Sequence, residues 1–223
     1  MAWLLIQWSG GCSPSLGVSR RVKGMKKSVG VLAMQGAFVE HAAVLDELGA
    51  QAVLVRQPGQ LEGLDGLIIP GGESTSIGRL MDIYGLAAPL REMAARGIPV
   101  MGTCAGLILL ARRVSALDRE TLGLLDISVV RNAYGRQVDS FEAQVLVPAL
   151  GPQPFPAVFI RAPVIDQVGS GVEVLTRLDN GSPVAVRQGK VLGTTFHPEL
   201  TSDRRFHAYF LGLMDGHVAK KAT

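Results

Sequence analysis

The spacing of apolar residues changes from one part of the chain to the next. Four short runs are almost wholly apolar and rich in β-branched residues, as in parallel strands covered on both faces: residues 28–34, 52–56, 66–70 and 98–102. Between them, residues 37–48 and 86–97 repeat apolar side chains at helical spacing, with Gly49 and Gly97 at their ends. Strands that alternate with helices predict an open, mostly parallel α/β sheet with helices on both faces.

The second half of the chain has a different pattern. A helix is predicted over 105–113, and strand-like runs without intervening helices follow it at 141–147, 157–161, 172–175, 184–188 and 191–196. We expect these runs to form an antiparallel extension or an edge that closes the sheet. Ser202 is a candidate cap for a final helix with an apolar stripe of Phe206, Phe210, Leu213 and Met214. No repeat or linker divides residues 25–223, which we interpret as one domain.

Residues 1–24 differ from the rest in composition. They hold both tryptophans, one of the two cysteines and three basic residues without an acid, and their apolar stretch is too short to span a bilayer. We expect an extension upstream of a start at Met25 that is disordered or not translated; an organelle transit peptide is the alternative. Without these three basic residues the chain has 19 basic and 19 acidic residues. Neither a nucleic-acid partner nor a membrane-bound state is therefore expected.

Cys104 is the only thiol of residues 25–223. This excludes a disulfide framework within the domain and favours a reducing cytoplasm. The sequence also lacks a His/Cys cluster of the kind that holds a structural metal, so no metal site is predicted.

Cys104 lies in the stretch GTCAG, between a predicted strand and a predicted helix. A Gly-x-nucleophile-x-Gly turn at such a junction is typical of a nucleophile elbow, which projects the side chain above the sheet. The following helix directs N–H groups at the sulfur, and the N–H of Ala105 is a candidate oxyanion donor. The alternative is an inert buried thiol.

A thiolate nucleophile needs a base, and His197 in the stretch TTFHPEL follows a predicted strand. Glu199 comes two residues later, and in extended chain it would project to the same side and orient the imidazole. His41 belongs to the first predicted helix and His207 and His217 to the last, where solvated or helix-end roles are expected.

A second glycine-rich turn, PGGEST at 70–75, follows the third predicted strand. Its glycines can bring backbone N–H groups up to a substrate, which makes Gly72 a candidate second oxyanion donor. The alternative is a tight loop that only reverses the chain. Gln35 and Gly36 end the first strand at the same edge, so we expect them beside the active site or the partner, without a catalytic role.

These residues resemble the class I, triad-type glutamine amidotransferases, whose flavodoxin-like fold agrees with the predicted sheet. The segments GVLAMQGAFVEH, LIIPGGEST, GTCAGLILLA, RNAYGRQVDSFEA, FIRAP and FHPEL are most similar to the glutaminase subunits of pyridoxal 5′-phosphate synthase, over essentially all of residues 25–223.

The resemblance implies hydrolysis of L-glutamine to L-glutamate and ammonia through a thioester on Cys104. His197 would transfer protons and Glu199 would support His197. The glutamine site would be lined by Gly72, Glu73, Ser74, Arg131, Ile160 and Arg161. A guanidinium suits the α-carboxylate of the substrate, although ordinary surface charge is the alternative for both arginines.

The resemblance also implies a partner, a (β/α)8-barrel synthase that makes pyridoxal 5′-phosphate from a pentose phosphate and a triose phosphate. The chain itself would need no cofactor. Two other functions stay open from the sequence: a glutaminase for another acceptor, such as imidazole glycerol phosphate synthase, and a noncatalytic flavodoxin-like binding protein. The second of these leaves the spacing of His197 and Glu199 unexplained.

Overall fold

The computed structural model describes residues 26–115, 117, 119–131 and 140–216. The predicted boundary at residue 24 and His217 lie outside these residues. In chain order the elements are β1 (Ser28–Leu32), α1 (Phe38–Glu47), β2 (Gln51–Val55), β3 (Gly66–Ile69), α2 (Ser74–Ile83), α3 (Ala87–Ala95), β4 (Val100–Thr103), α4 (Ala105–Leu110), β5 (Ala111–Ser115), β6 (Leu125–Val130), β7 (Ser140–Val145), β8 (Phe155–Ile160), β9 (Val164–Val168), β10 (Glu173–Arg177), β11 (Pro183–Gln188), β12 (Val191–Thr194) and α5 (Arg205–Met214).

The main sheet of the described residues has seven strands in the order β10-β11-β12-β4-β3-β1-β2. The five strands from β12 to β2 run parallel, while β10 and β11 add an antiparallel edge. The predicted open and mostly parallel sheet is therefore confirmed. The order β2-β1-β3-β4-β12 is the flavodoxin-like arrangement, in which ligands bind beyond the carboxyl ends of the strands.

Helices cover both faces of this sheet, as predicted. One apolar core contains side chains of α2, α3 and α4, including Ile77, Met93 and Leu107. The other contains side chains of α1 and α5, including Leu45 and Phe210. Neighbouring residues of one strand point into opposite cores, which explains the continuous apolar runs in the sequence.

The second half of the chain differs from the prediction in three places. Residues 191–194 do not belong to an antiparallel edge, because β12 pairs in parallel with β4 inside the main sheet. The predicted helix over 105–113 ends at Leu110, and 111–115 continue as β5 in a small sheet with β6 and β9. Strands β7 and β8 form a separate antiparallel pair. Apolar runs of similar length do not indicate which partner strand each one finds.

Ser202 does not cap the final helix. Helix α5 begins at Arg205, and the Arg205 N–H donates to the carboxylate of Asp203 at 3.0 Å. The buried side of α5 includes Phe206, Phe210 and Leu213, three members of the predicted stripe.

Candidate active site

The carboxyl ends of β1, β3, β4 and β12 meet at one edge of the main sheet. Gln35, Gly72, Cys104 and His197 follow these four strands. A cavity of about 220 Å³ opens between them. Pockets for drug-sized ligands usually measure about 300–1,000 Å³, so this cavity suits a smaller molecule.

Every residue predicted to act on or bind the substrate lines this cavity, except Glu199. The lining residues are Gln35, Gly72, Glu73, Ser74, Cys104, Ala105, Ile108, Arg131, Ile160, Arg161, Pro163 and His197. Ile108 and Pro163 were not singled out from the sequence, where nothing distinguishes them from other apolar residues. A cavity of about 290 Å³ beside α2 and α3 contains neither a cysteine nor a histidine.

Cys104 occupies a strained turn between β4 and α4. Its φ of 49° and ψ of −103° are unusual for a residue with a side chain, and its N–H donates to the Thr194 carbonyl at 2.8 Å. A Cβ on Gly106 would lie 2.0 Å from the Ile69 carbonyl oxygen, and one on Gly102 would lie 2.7 Å from the backbone of Gly106. The two glycines are therefore required by the close backbone approach at the elbow.

The Cys104 side chain is 6% exposed and borders the cavity. Its thiol lies 3.8 Å from the Ile160 carbonyl oxygen, within range of a weak S–H···O hydrogen bond. Arg161, which follows Ile160 in the chain, is exposed and has a φ of 43°. The β8 end is thus a second strained turn, opposite Cys104.

His197 and Glu199 lie side by side beneath the cavity. His197 Nδ1 is 2.7 Å from Glu199 Oε1, and the His197 N–H donates to the Val158 carbonyl at 2.8 Å. The predicted contact is present, but its geometry differs from the expected extended chain because residues 198–200 form a 3-10 turn. The turn brings the carboxylate under the ring.

The electrostatics of this pair follow from its neighbours. Burial alone would lower the pKa of His197, but hydrogen bonds to Cys104 and Glu199 raise this pKa to about 10. Burial would raise the pKa of Glu199, yet attraction to the His41 and His197 rings holds that pKa below its usual value. At neutral pH the pair is an imidazolium and a carboxylate.

The glycine turn after β3 is held from two sides. The Gly71 N–H donates to Thr103 Oγ1 at 3.0 Å, and the Gly71 carbonyl accepts from the Ala37 N–H at 3.1 Å. Gly36 has a φ of 98°, and a Cβ there would lie 1.8 Å from the Gly71 oxygen. Gln35 Oε1 accepts from the Glu73 N–H at 2.7 Å. The loop after β1 therefore sets the backbone of this turn.

Glu73 lines the cavity but its carboxylate also caps α2. It accepts from the N–H groups of Thr75 at 2.9 Å and Ser76 at 2.7 Å. Partial burial opposes ionisation, but these hydrogen bonds lower the pKa of Glu73 to about 2. Arg131 Nη2 lies 3.2 Å from Thr75 Oγ1 and 3.6 Å from Glu73 Oε1, which ties the arginine to the same helix end.

The expected roles of His41 and His207 are wrong. Both side chains are fully buried, and His41 Nδ1 lies 2.9 Å from His207 Nε2. His41 Nε2 is 3.2 Å from Thr103 Oγ1 and 3.4 Å from Glu199 Oε2. The signal was present in the sequence, since position 41 lies on the same helical face as the buried positions 44 and 45.

Two further observations concern the described residues as a whole. Within them, His, Cys, Asp and Glu side chains form no group of three or more suited to a metal ion. In that same part of the chain, every helix is too short or too polar to cross a membrane.

Comparisons with known proteins agree with this geometry. The sequence profile of the SNO glutamine amidotransferase family matches residues 31–215. The pyridoxal 5′-phosphate synthase subunit PdxT of Herpetosiphon aurantiacus is 57% identical over 189 residues, which cover 83% of this chain and 100% of that protein. PdxT of Pelotomaculum thermopropionicum is 57% identical over 183 residues, with 82% and 93% coverage.

Solved structures give a consistent result. A crystal structure of a glutamine amidotransferase matches with a TM-score of 0.80 and 51% identity, over 84% of this chain and 98% of that one. PurLQS from Thermotoga maritima matches with a TM-score of 0.66 at 18% identity, over 85% and 100% of the two chains. At that identity the second match shows a shared fold alone.

Proposed function

The chain belongs to the SNO glutamine amidotransferase family, and from this premise we propose that it is the glutaminase subunit of a pyridoxal 5′-phosphate synthase. It hydrolyses L-glutamine to L-glutamate and ammonia. The observation that carries the proposal is the position of Cys104 on a strained elbow beside the His197–Glu199 pair, at a small cavity. Family membership favours this function over a noncatalytic binding protein, and the PdxT relatives favour this partner over imidazole glycerol phosphate synthase.

The first half of the reaction forms a thioester. The Cys104 thiolate attacks the side-chain amide carbon of glutamine, and the carbonyl electron pair moves onto oxygen, which faces the N–H groups of Gly72 and Ala105. The His197 imidazolium donates its proton to the amide nitrogen. The carbon–nitrogen bond then breaks, ammonia leaves and neutral His197 remains. The raised pKa of His197 supports this role, because it keeps the ring protonated at neutral pH until the proton is needed.

The second half hydrolyses the thioester. Neutral His197 accepts a proton from water while the water oxygen attacks the thioester carbon. The second oxyanion collapses and expels the Cys104 thiolate, so that glutamate is released and the thiolate–imidazolium pair is restored. Glu199 stays ionised throughout and stabilises the imidazolium through Nδ1, at 2.7 Å.

The substrate is held by the residues around the nucleophile. Gly72 and Ser74 line one side of the cavity, while Arg161 and Ile160 line another. We assign recognition of the α-carboxylate to the guanidinium groups of Arg131 and Arg161. Glu73 contributes to this recognition mainly by holding Arg131, since its own carboxylate caps α2.

Ammonia is lost to water unless it is passed on, so the subunit delivers it to a (β/α)8-barrel synthase partner. A single thiol with no disulfide partner in residues 25–223 is typical of a reducing compartment, which supports a cytoplasmic location. The balanced charge of that part of the chain gives no support to a nucleic-acid partner. The mechanism uses no metal and no cofactor on this chain.

Ammonia release from glutamine by the chain with its synthase tests the proposal. We expect Cys104→Ala to lose at least about a thousandfold in kcat, because the covalent route is removed. Cys12→Ala is the matched control, since it removes the only other thiol, and it keeps the wild-type rate. Ammonia release that survives Cys104→Ala would refute the covalent mechanism.

Delivery to the synthase has its own test. Glutamine labelled with ¹⁵N in the side-chain amide is supplied together with an excess of unlabelled ammonium, and the ring nitrogen of pyridoxal 5′-phosphate is analysed by mass spectrometry. Direct delivery predicts a label content well above that of the bulk ammonia. A label content equal to that of the bulk ammonia would contradict direct delivery while leaving glutaminase activity intact.

A further inference from the structure

Two buried histidines lie directly behind the proposed triad and take no part in the mechanism above. Glu199 uses Oε1 to hold His197, but its other oxygen, Oε2, has no aligned hydrogen bond among the described residues. One donor candidate is His41 Nε2, which lies 3.4 Å from Oε2. His41 in turn lies 2.9 Å from His207 through Nδ1. The polar groups thus form a continuous row from His207 to Cys104.

Burial determines how many protons these two rings hold. It lowers the pKa of His41, against the attraction of Glu199 and Glu40 and together with the repulsion of His197. It also lowers the pKa of His207 to about 3, with further repulsion from His41 and Arg204. Both rings are therefore neutral at pH 7, and each has a single N–H.

Two arrangements of these protons are possible. In the first, His207 Nε2–H donates to His41 Nδ1, and His41 Nε2–H donates to Thr103 Oγ1, with Glu199 Oε2 3.4 Å from the same nitrogen. In the second, the direction is reversed, so that a nitrogen lone pair of His41 faces the carboxylate oxygen and His207 Nδ1–H is left without an acceptor.

The first arrangement is favoured by the cost of unpaired groups. Burying a carboxylate oxygen against a lone pair is expensive, and so is a buried N–H without an acceptor. The first arrangement leaves only a bare lone pair on His207 Nδ1, an atom with no hydrogen-bond partner among the described residues. An unpartnered acceptor is better tolerated than an unpartnered donor.

We propose that His41 is a positioning residue for the glutaminase reaction. His207 fixes the tautomer of His41 that has its proton on Nε2, and this N–H holds the second carboxylate oxygen of Glu199. The proposal rests on the proposed function of the Cys104 site. Thr103 extends the same contact to the oxyanion turn, because its hydroxyl oxygen also accepts from the Gly71 N–H. The His41 ring therefore contacts both Glu199, which supports the base, and Thr103, which supports the oxyanion turn.

The tests compare His41→Met with His41→Gln in the complex with the synthase. Both side chains are unbranched and of similar length, but only glutamine has an N–H to offer Glu199. We expect His41→Met to lower kcat by roughly 10- to 100-fold, the usual range for a group that orients a catalytic ligand or base, while KM for glutamine changes by less than about threefold. His41→Gln should recover most of the lost kcat.

The pH profile gives a second readout. Without the His41 N–H, Glu199 takes up a proton more easily, so the acidic limb of kcat should move to higher pH in His41→Met and return towards the wild type in His41→Gln. The other charged or titratable groups facing His41 and His207 are His197, Glu40 and Arg204, and neither substitution alters them. A purely structural role predicts equal losses of kcat and melting temperature in both variants with an unchanged profile, and this result would overturn the proposal.

The tautomer can be measured without any activity, in case the variants do not fold. Spectra of ¹⁵N-histidine-labelled wild-type chain at pH 7.5 should show neutral Nε2–H rings for both His41 and His207. A neutral Nδ1–H ring at His41 would overturn the proposal. A wild type that releases no ammonia refutes the proposed function instead, whereas an active wild type matched by His41→Met refutes only the positioning role.

Discussion

His197 and His207 belong to one row of buried polar groups, and they hold their protons with opposite strength. Their side chains are almost equally hidden, at 7% and 0% exposed. Yet the pKa of His197 is raised to about 10, while the pKa of His207 is lowered to about 3. Burial disfavours the imidazolium at both positions, so burial cannot account for the difference.

The difference lies in what each ring faces. His197 is hydrogen-bonded to Cys104 and Glu199, two groups that are anionic when ionised and that stabilise its positive charge. His207 faces a second imidazole, His41, and the guanidinium of Arg204, and the attraction of Glu199 does not offset these two groups and burial. The same residue type therefore holds a proton at neutral pH in one position of the row and is neutral in the other.

The largest expected effect comes from removing the carboxylate charge of Glu199, which helps to raise the pKa of His197 above that of His207. In Glu199→Gln the ring of His197 keeps a neighbour of similar size, but the carboxylate charge is lost and the pKa of His197 falls. We expect kcat for ammonia release to drop by roughly 10²- to 10⁴-fold, as for the carboxylate of other triads. The steady-state rate with the synthase measures it.

The matched control is Glu62→Gln, which removes an exposed carboxylate outside the cavity and should leave the rate unchanged. If Glu199→Gln retained more than about a third of the wild-type kcat, the contrast between the two histidines would have no bearing on catalysis.

The second effect concerns stability in acid. His207 is neutral in the folded chain but has a pKa near 6.5 when unfolded, so its contribution is present above pH 6.5 and is lost as the pH falls towards 3. Between pH 6.5 and 5 the free energy of unfolding falls by about 2 kcal/mol through His207, since each pH unit contributes about 1.4 kcal/mol per proton.

Urea unfolding at several pH values compares wild type with His207→Gln, which does not titrate in this range. The variant should lose about 2 kcal/mol less free energy of unfolding than the wild type between pH 6.5 and 5. His41→Gln should change the slope in the same direction, since the pKa of His41 is lowered too. Identical slopes in wild type and His207→Gln would show that His207 is charged in the folded chain.

The smallest effect extends the comparison to a carboxylate stabilised by backbone N–H groups instead of by histidine. Glu73 caps α2, and its pKa of about 2 means that its contribution is present above pH 4.5 and is lost as the pH falls towards 2. We expect Glu73→Ala to lower the free energy of unfolding at pH 7 by about 1 kcal/mol, the usual value of a helix cap.

Chemical unfolding of Glu73→Ala and wild type at pH 7 and pH 3 checks this prediction. The difference between them should shrink at pH 3. Glu62→Ala serves as the control at an exposed site. An equal loss at both pH values would mean that the side chain acts by packing and not by charge.

The local geometry of the candidate site was readable from the sequence. The glycines around Cys104 and the tripeptide from His197 to Glu199 are short-range patterns, and an elbow or a two-residue contact is decided by residues close in the chain. The parallel sheet was equally readable, because alternating helical and strand periods leave few other topologies. The predicted boundary at residue 24 and the catalytic roles of the site residues stay predictions.

What the sequence could not decide is long-range. Strand β12 pairs with β4, which is about ninety residues earlier, and this pairing, not any local pattern, brings His197 to Cys104. His41 and His207 are 166 residues apart, and no local pattern indicates that the two rings meet. Only the folded chain, in which α1 and α5 contribute to the same core, makes them a buried pair behind Glu199, because burial and neighbouring charge set the proton affinity of a side chain.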